Sequence, residues 1–585
     1  MNIVEKDIIL YLSNTEFTNQ RALSTATGYS LGSINKALQS LIANKYLDSE
    51  YNLTKNAKNI LEINKPKNAI ILAAGFGMRM VPINTEMPKG LITIQNETLI
   101  ERLICQLQEV GITDIHIVVG FMKEHYEFLI DKYDINLIVN NDYSTKNNLF
   151  SLNQAISYIG NTYIIPCDIW SRNNPFSSNE LYSWYMVSEK INPNSKLKIS
   201  RQNYISYSNN NTYGNQEIGI SYITQENSKR LKNRITNLCS NETNSKEYWE
   251  ASLFDNNIQK FPIAAKVAHS EDVFEINTYE QLREYDSQSK SLNIDAIKVL
   301  TEVFNTTPDK IVNIEVLKKG MTNRSFTFEF EGKKYVMRIP GEGTSELINR
   351  QNELDVYNAI QNTGLCSDPI YINAENGFKV TKFLYDVRCC DPHNVNDLKI
   401  CMDKLKELHN LNLKVNHEFD IFKQIEFYEK LRNKKSVYRD YDEVKKNIFS
   451  LKPFIEKNVD KKVLSHIDAI PDNFLFYSNN SNEELQLTDW EYAGMQDPHI
   501  DLAMFSIYSY YNKEQADKLI DMYFDNKCTK EIRVKIYCYI AVCGLLWSNW
   551  CEYKQTLGVE FGEYSLQQYR YAKDFYRIVK SEGSI

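Results

Sequence analysis

Apolar residues along this chain repeat with two different periods, and the change from one to the other divides it into three segments. Through residues 1–66 the spacing is helical: DIILYLSN, then TNQRALSTATG closing on a glycine, then the longer amphipathic run SLGSINKALQSLIANKYL. YLDSEYNLTKNAKNIL after it predicts a short hairpin and a closing helix. From 67 to 290 the pattern changes. Near-continuous apolar strands (AIILAAG, DIHIVVG, INLIVNN, NTYIIPCDIW) alternate with helices through TLIERLICQLQEVG and EHYEFLI. Strands apolar on both faces imply a mainly parallel sheet covered by helices on each side, with ligands beyond the strands' C-terminal ends. From 291 to 585 three antiparallel-type strands, IVNIEVLKKG, RSFTFEFEG and KKYVMRIPG, lead into a mostly helical remainder. The junction before them is placed near residues 288 to 298. The chain is therefore multidomain, α/β followed by α+β.

Composition narrows this picture by exclusion. The 585 residues exceed one hydrophobic core and suggest three or four domains. No stretch approaches the ~20 apolar residues of a membrane-crossing helix, so no membrane association is expected. The opening MNIVEKDIILYLSNTEF lacks the basic region and cleavage site of a secretory signal. Eleven scattered cysteines without a CxxC pair read as reduced thiols in a cytoplasmic protein. The formal net charge of −8 argues against a dedicated nucleic-acid binder at the level of the whole chain.

The middle segment carries its chemistry in NAIILAAGFGMRM and MPKGL. Ala73, Ala74, Gly75 and Gly77 form a small-residue turn after a strand, where backbone amides can approach a triphosphate. Arg79 can fork onto phosphate oxygens, and Lys89 places a point charge at the reacting phosphoryl group. This spacing resembles the sugar-phosphate and phosphocholine nucleotidyltransferases, whose fold is Rossmann-like. GFMKEHYEFL, NNDYSTKNNLFSLNQA and VFEINTYEQL bring it nearer to the bacterial CTP:phosphocholine cytidylyltransferases. The resemblance implies that Asp168 and Asn277 hold Mg²⁺, that CTP is co-substrate, and that Lys89 also meets phosphocholine. Asn147 and Asn148 are candidates for reading the cytosine edge, with helix capping as the competing role. Trp249 is a candidate host for the cationic head group, with a core position as the competing role.

The last segment carries LSHIDAIPDNFLF and LTDWEYAG. Asp468 is placed to accept a substrate hydroxyl proton, with Asn473 and Asp489 as Mg²⁺ ligands, and His466 braces the loop. The surrounding blocks, KKGMTNRSFTFEFEGKKYVMRIPGEGTSELINR, DWEYAGMQDPHIDLA and LLWSNWCEYKQTLGVEFGEYSLQQYRYAK, resemble bacterial choline kinases, of the two-lobed choline/aminoglycoside kinase fold. That resemblance implies ATP contacts from Thr322, Asn323 and Arg338, with Arg338 paired to Glu353. It also implies a quaternary-ammonium cage from Trp547 and Trp550, which lie at i and i+3 of one helix face, completed by Glu491 and the tyrosines around Tyr508.

Residues 1–66 resemble a winged helix-turn-helix. Seven Lys/Arg against six Asp/Glu through Lys65 leave little cationic surface for DNA, which favours a docking or dimerisation module over a nucleic-acid reader. Homo-oligomerisation stays open. The expected activity is phosphorylation of choline with Mg-ATP followed by coupling of phosphocholine to CTP. The CDP-choline formed would supply phosphocholine for bacterial surface polymers. The competing expectations are the same chemistry on ethanolamine or a phosphonate analogue, or a DNA-binding regulator that uses the enzyme domains as sensors.

Overall fold

The computed structural model describes residues 1–207, 213–254, 262–317, 323–341, 347–479, 482–557, 559 and 561–583. The chain forms two compact units, residues 1–297 and 298–585.

The first unit opens with α1 (Ile3–Asn14), α2 (Gln20–Thr27), α3 (Leu31–Ala43) and α4 (Lys55–Asn64). Each begins where a side-chain oxygen can satisfy an otherwise orphaned helical amide: Asn2, Asn19, Ser30 and Thr54 all accept one. Gly28, at φ +74°, ends α2 in the left-handed conformation that glycine tolerates. The hairpin expected at 46–54 is a single antiparallel bridge, Leu47 to Leu53, so the wing is minimal. Ile8, Ile9, Leu23, Ile34, Leu38 and Leu41 close a small core, and Leu181 of the following segment packs into it. Conversely, Ile3 belongs to the core beneath the next sheet. The phenols of Tyr29 and Tyr182 both donate to the Asp7 carboxylate, at 2.6 and 2.5 Å. Asn161 Nδ2 and Tyr222 Oη donate to the carbonyls of Ile63 and Asn64 at the end of α4.

The sheet of this unit comprises β1 (Asn68–Ala73), β2 (Asp114–Val119), β3 (Asn136–Val139), β4 (Thr162–Pro166), β5 (Trp184–Asn192), β6 (Gly214–Ile223) and β7 (Ala264–Ala268). Its order is β7-β5-β6-β4-β1-β2-β3. The strands from β4 to β3 are parallel, and β6 runs antiparallel to both β4 and β5. Residues of β1 alternate between two cores. Ala69, Ile71 and Ala73 face one, and Ile70 and Leu72 face the other, as a sheet covered on both sides requires.

The second unit begins with β8 (Val312–Val316), β9 (Asn323–Phe330) and β10 (Lys333–Pro340), followed by α5 (Arg350–Ile360), β11 (Tyr371–Ile372) and β12 (Lys379–Lys382). The strands form an antiparallel sheet in the order β8-β9-β10-β12-β11. The remainder is helical around α6 (Lys530–Thr556), which is buried throughout from Val534 to Lys554 and packs on α7 (Glu563–Ser581). The helix is buried on every side, and its buried Lys535 and Glu552 are paired with Asp497 and Arg432. Among the described residues no helix is long and apolar enough to cross a membrane. All eleven cysteines are free thiols.

Candidate active sites

In the first unit, Gly77 takes φ +59° and turns the chain back after β1, so that Lys89 passes beside it. Lys89 Nζ forms an ion pair with Asp168 and donates to Asn277 Oδ1 at 2.8 Å. Arg79 Nη2 donates to the same Asn277 oxygen at 2.6 Å. Four residues spread over two hundred positions thus meet just past the C-terminal ends of β1 and β4, where a doubly wound sheet holds its ligands. Glu275 joins them, its Oε1 3.9 Å from Lys89. Burial works to raise the Asp168 carboxyl, but Lys89 holds it below the usual range. Burial and the charge of Asp168 push Glu275 up to about 7. Asp168 Oδ1 is buried without a hydrogen-bond partner. An orphaned carboxylate oxygen beside a second carboxylate and an amide oxygen fits a hard cation that keeps most of its own waters. Sequence reasoning passed over Glu275, although it stands two residues before Asn277, the spacing that puts two side chains on one face of an extended segment.

The expectations for the base and the head group are corrected. The Asn147 side chain caps the helix Asn148–Gln154, and its Nδ2 donates to the Lys246 carbonyl. Asn148 Oδ1 accepts the amide of Trp249 at 2.8 Å. Asn147 thus takes the capping role that competed with base recognition, while Asn148 ties its helix to the turn that carries Trp249. Trp249 is fully buried against Tyr185. A wide apolar ring on a short turn gains more from the core than from solvent, so it offers no face to a ligand. The neighbouring residue faces a cavity instead. About 240 Å³ is lined by Glu217, Glu250, Tyr207, Tyr248 and Phe254. Glu250 Oε1 accepts from Tyr185 Oη at 3.3 Å, while its Oε2 is buried and unpartnered. Burial, reinforced by Glu217, pushes the Glu250 carboxyl up to about 8. Glu250, with one carboxylate oxygen buried, thus shares this aromatic-walled cavity with the exposed Glu217 and with Lys196.

In the second unit a cleft of about 1100 Å³ collects the expected kinase residues. Asn473 Nδ2 donates to the backbone carbonyl and Oδ2 of Asp468, at 2.8 and 3.0 Å, which leaves its carbonyl oxygen as a cation ligand. Burial pushes the Asp468 carboxyl up to about 8, with Asp489 and Glu491 adding to it. Crowded carboxylates facing one another with an amide oxygen fit a divalent cation. Among the described residues no group of three or more His, Cys, Asp or Glu is arranged so that it could hold a metal ion. Ile467 and Asp489 adopt φ +68° and +64°. Such strain in a β-branched residue persists only where its surroundings over-determine it. Here Asp501, fully buried, accepts the amides of His466 and Ile467 at 2.9 and 2.7 Å, with His409 Nε2 at 3.0 Å from the same carboxylate. His466 bridges to the Thr488 carbonyl at 2.9 Å, the brace expected of it.

On the sheet side, Arg338 grips Glu353 through two bonds of 2.6 and 2.8 Å. Thr322 lies outside the described residues, and Asn323 opens β9. Trp547 and Trp550 both line the cleft, their rings 5.5 Å apart at 71°. Tyr492 stands edge-on to Trp547, Phe561 lies 5.0 Å from Trp550, and Tyr564 follows on α7. These three walls were not singled out in the sequence because Tyr492 lies far along the chain from Phe561 and Tyr564, and only the fold brings them together. Tyr508 lines the cleft with its phenol donated to Asp472. Glu491 lines the same cleft as the two tryptophans and stands 3.6 Å from Arg350 and 3.9 Å from Arg338.

Residues 69–173 match the MobA-like NTP transferase domain family, residues 314–571 the choline/ethanolamine kinase family, and residues 8–74 the wHTH-PRTase associated family. The chain is a transferase of two classes, a nucleotidyltransferase followed by a small-molecule kinase, behind a winged-helix segment. Its kinase portion is similar to Protein LicA of Haemophilus influenzae, 29% identical over 265 residues, which are 42% of this chain and 96% of that protein. Its middle portion is similar to Choline-phosphate cytidylyltransferase of Streptococcus pneumoniae, 27% identical over 236 residues, 38% of this chain and 99% of that protein. It is also similar to 2-aminoethylphosphonate cytidylyltransferase of Lancefieldella rimae, 28% identical over 231 residues, 37% of this chain and 92% of that protein.

Proposed function

We propose that this chain converts choline to CDP-choline in two consecutive reactions. In the second unit the choline hydroxyl attacks the γ-phosphorus of ATP. Asp468 takes the hydroxyl proton, the new P–O bond forms as the bond to the β-phosphate oxygen breaks, and ADP leaves. In the first unit a phosphate oxygen of phosphocholine attacks the α-phosphorus of CTP, and pyrophosphate departs. Lys89 and Arg79 neutralise the charge gathering on the transferred phosphoryl group. At both sites Mg²⁺ would be held by the residues that fit it, Asp168, Glu275 and Asn277 in the first and Asn473 and Asp489 in the second, and would supply charge neutralisation of the nucleotide phosphates.

The observation that carries this reading is the aromatic box of Tyr492, Trp547, Trp550 and Phe561 in one cleft with Asp468. A quaternary ammonium has no N–H to donate, so ring faces are its natural host. A primary ammonium would favour carboxylate and carbonyl acceptors. The similarity to both a cytidylyltransferase named for choline phosphate and the LicA protein supports the same substrate. The test is mass spectrometry of products from choline, ATP, CTP and Mg²⁺ with the purified chain. CDP-choline is expected. Asp468→Ala abolishes ATP consumption while CDP-choline still forms from supplied phosphocholine, and Lys89→Ala does the reverse. A preference for ethanolamine over choline in the first reaction, or for 2-aminoethylphosphonate over phosphocholine in the second, would overturn the substrate assignment.

A further inference from the structure

Lys379 opens β12 directly opposite Arg338 of β10 in antiparallel register, so both side chains stand on the wall of the ATP cleft. Its side chain is buried. An ammonium group there carries a penalty of several kcal/mol unless it is paired. Its Nζ donates to Tyr357 Oη at 2.7 Å and stands 3.5 Å from Glu353 Oε1. Glu353 already receives two bonds from Arg338 and a third, at 3.0 Å, from Arg350 Nη1. One carboxylate is thus surrounded by three cations, which, against the effect of burial, hold it down at about 2. Structural pairing of Arg338 alone does not require so many.

A carboxylate offers about four acceptor positions, and Lys379 waits at the one beside the nearer Arg338 bond. Arg338 has two competing duties, to anchor Glu353 on α5 and to address nucleotide phosphates, and a guanidinium turned toward one loosens its hold on the other. We infer that Lys379 is a positioning residue of the kinase site, which takes over Glu353 Oε1 when Arg338 turns an edge to the phosphates of ATP. The ammonium need close only from 3.5 Å to the roughly 2.7–2.9 Å of a charge-assisted bond. This rests on the proposal that the second unit is an ATP-dependent kinase.

The takeover requires a protonated amine. Burial and the neighbouring Arg338 lower the pKa of Lys379, while Glu353, Asp489 and Glu491 oppose them. Tyr357 and Cys366 are the other titratable groups beside it. A lowered ammonium pKa means the group is charged at low pH and neutral as pH rises through that value, so use of ATP falls on the alkaline side.

The experiment is steady-state kinetics of the full-length chain with ATP and choline varied separately between pH 6.5 and 9.5, for Lys379→Met and Lys379→Arg. Lys379→Met is expected to raise KM for ATP by about tenfold or more, the scale of one charged hydrogen bond. KM for choline and cytidylyltransferase activity stay unchanged, and the alkaline fall in kcat/KM for ATP disappears. Lys379→Arg restores KM for ATP and stays flat to high pH. Should Lys379→Met fail to fold, Tyr357→Phe removes the phenol that steers the amine and gives the same split with smaller amplitude. A wild-type KM for ATP with an unchanged alkaline limb in either variant overturns the inference, as does an equal rise in KM for choline. If the unaltered chain phosphorylates no choline at all, the proposed function fails rather than the role of Lys379.

Discussion

At the scale of single residues, the two sites set opposite electrostatic problems. Around Lys89 a cation controls the carboxylates, and Asp168 stays ionised. In the cavity lined by Glu250, Glu217 and Lys196, the Glu250 carboxyl is pushed up to about 8, first by burial. A bound quaternary ammonium would reverse that, since it favours the carboxylate form. Below pH 8 the free enzyme must release a proton before the cation is well held, so affinity for phosphocholine rises as pH climbs toward 8 and then levels. KM for phosphocholine is expected to fall across pH 6.5–8 in the unaltered chain and to be higher and flat in Glu250→Gln. A slope persisting in the variant would assign the titration elsewhere. In the kinase cleft, Trp547→Ala removes one face of the box. Since a desolvated ring contributes roughly 0.5–2 kcal/mol, KM for choline is expected to rise about 2- to 30-fold with KM for ATP unchanged. No change would reassign that ring to the core, where its Nε1 donates to the Met504 sulfur.

At the scale of elements, the loop carrying Asp468 is held from behind. Asp501, on the helix Ile500–Tyr508, fixes two successive amides of a segment whose Ile467 is in the left-handed region. Asp501→Ala leaves those amides and His409 buried without their acceptor, a loss on the order of 2–4 kcal/mol. A lower unfolding midpoint for the kinase unit and a fall in kcat larger than any change in KM are the expected readouts, by calorimetry and kinetics. The docking of α1 makes a parallel case. Asp7 is half-buried between Tyr29 and Tyr182, so Asp7→Ala is expected to destabilise the first unit while kinase turnover is unchanged. What the sequence made legible follows from how these contacts are encoded. Lys89 and Arg79 flank one turn, and Asp468, Asn473 and Asp489 span a single loop and hairpin, so short-range spacing was enough to find them. Glu275 lay within reach of the same reasoning. Glu250, Asp501, Phe561 and Lys379 acquire their roles only through strand register or loop packing across long separations, which periodicity does not record. Trp249 shows the opposite failure. A tryptophan near a candidate site has the same letter whether its ring faces ligand or core, and burial decides between them.

At the scale of the whole molecule, the winged-helix segment is built into the nucleotidyltransferase unit. Leu181 completes the small helical core and Ile3 enters the core under the sheet, an exchange that a freely swinging module would not make. Its contacts come from the start of β4, the end of β6 and the segment before β5, while Lys89 and Asp168 gather past the other end of β4. The segment therefore braces the sheet from the side opposite the reacting groups. The two chemistries sit in separate compact units, and the product of one is the substrate of the other. If phosphocholine passes between them through bulk solvent, the sites need not share a chain. Mixing equal amounts of Asp468→Ala and Lys89→Ala chains then restores CDP-choline formation from choline, ATP and CTP at about half the rate of the same total of unaltered chain, because each site is present at half its concentration and no gain from tethering is lost. A lag before product appears, shortened by added phosphocholine, accompanies that outcome. If instead the tether keeps phosphocholine near the second site, the mixture falls well below half and unlabelled phosphocholine fails to dilute label from choline in the unaltered chain. Following label from choline into CDP-choline in both reactions, with and without added phosphocholine, separates the two.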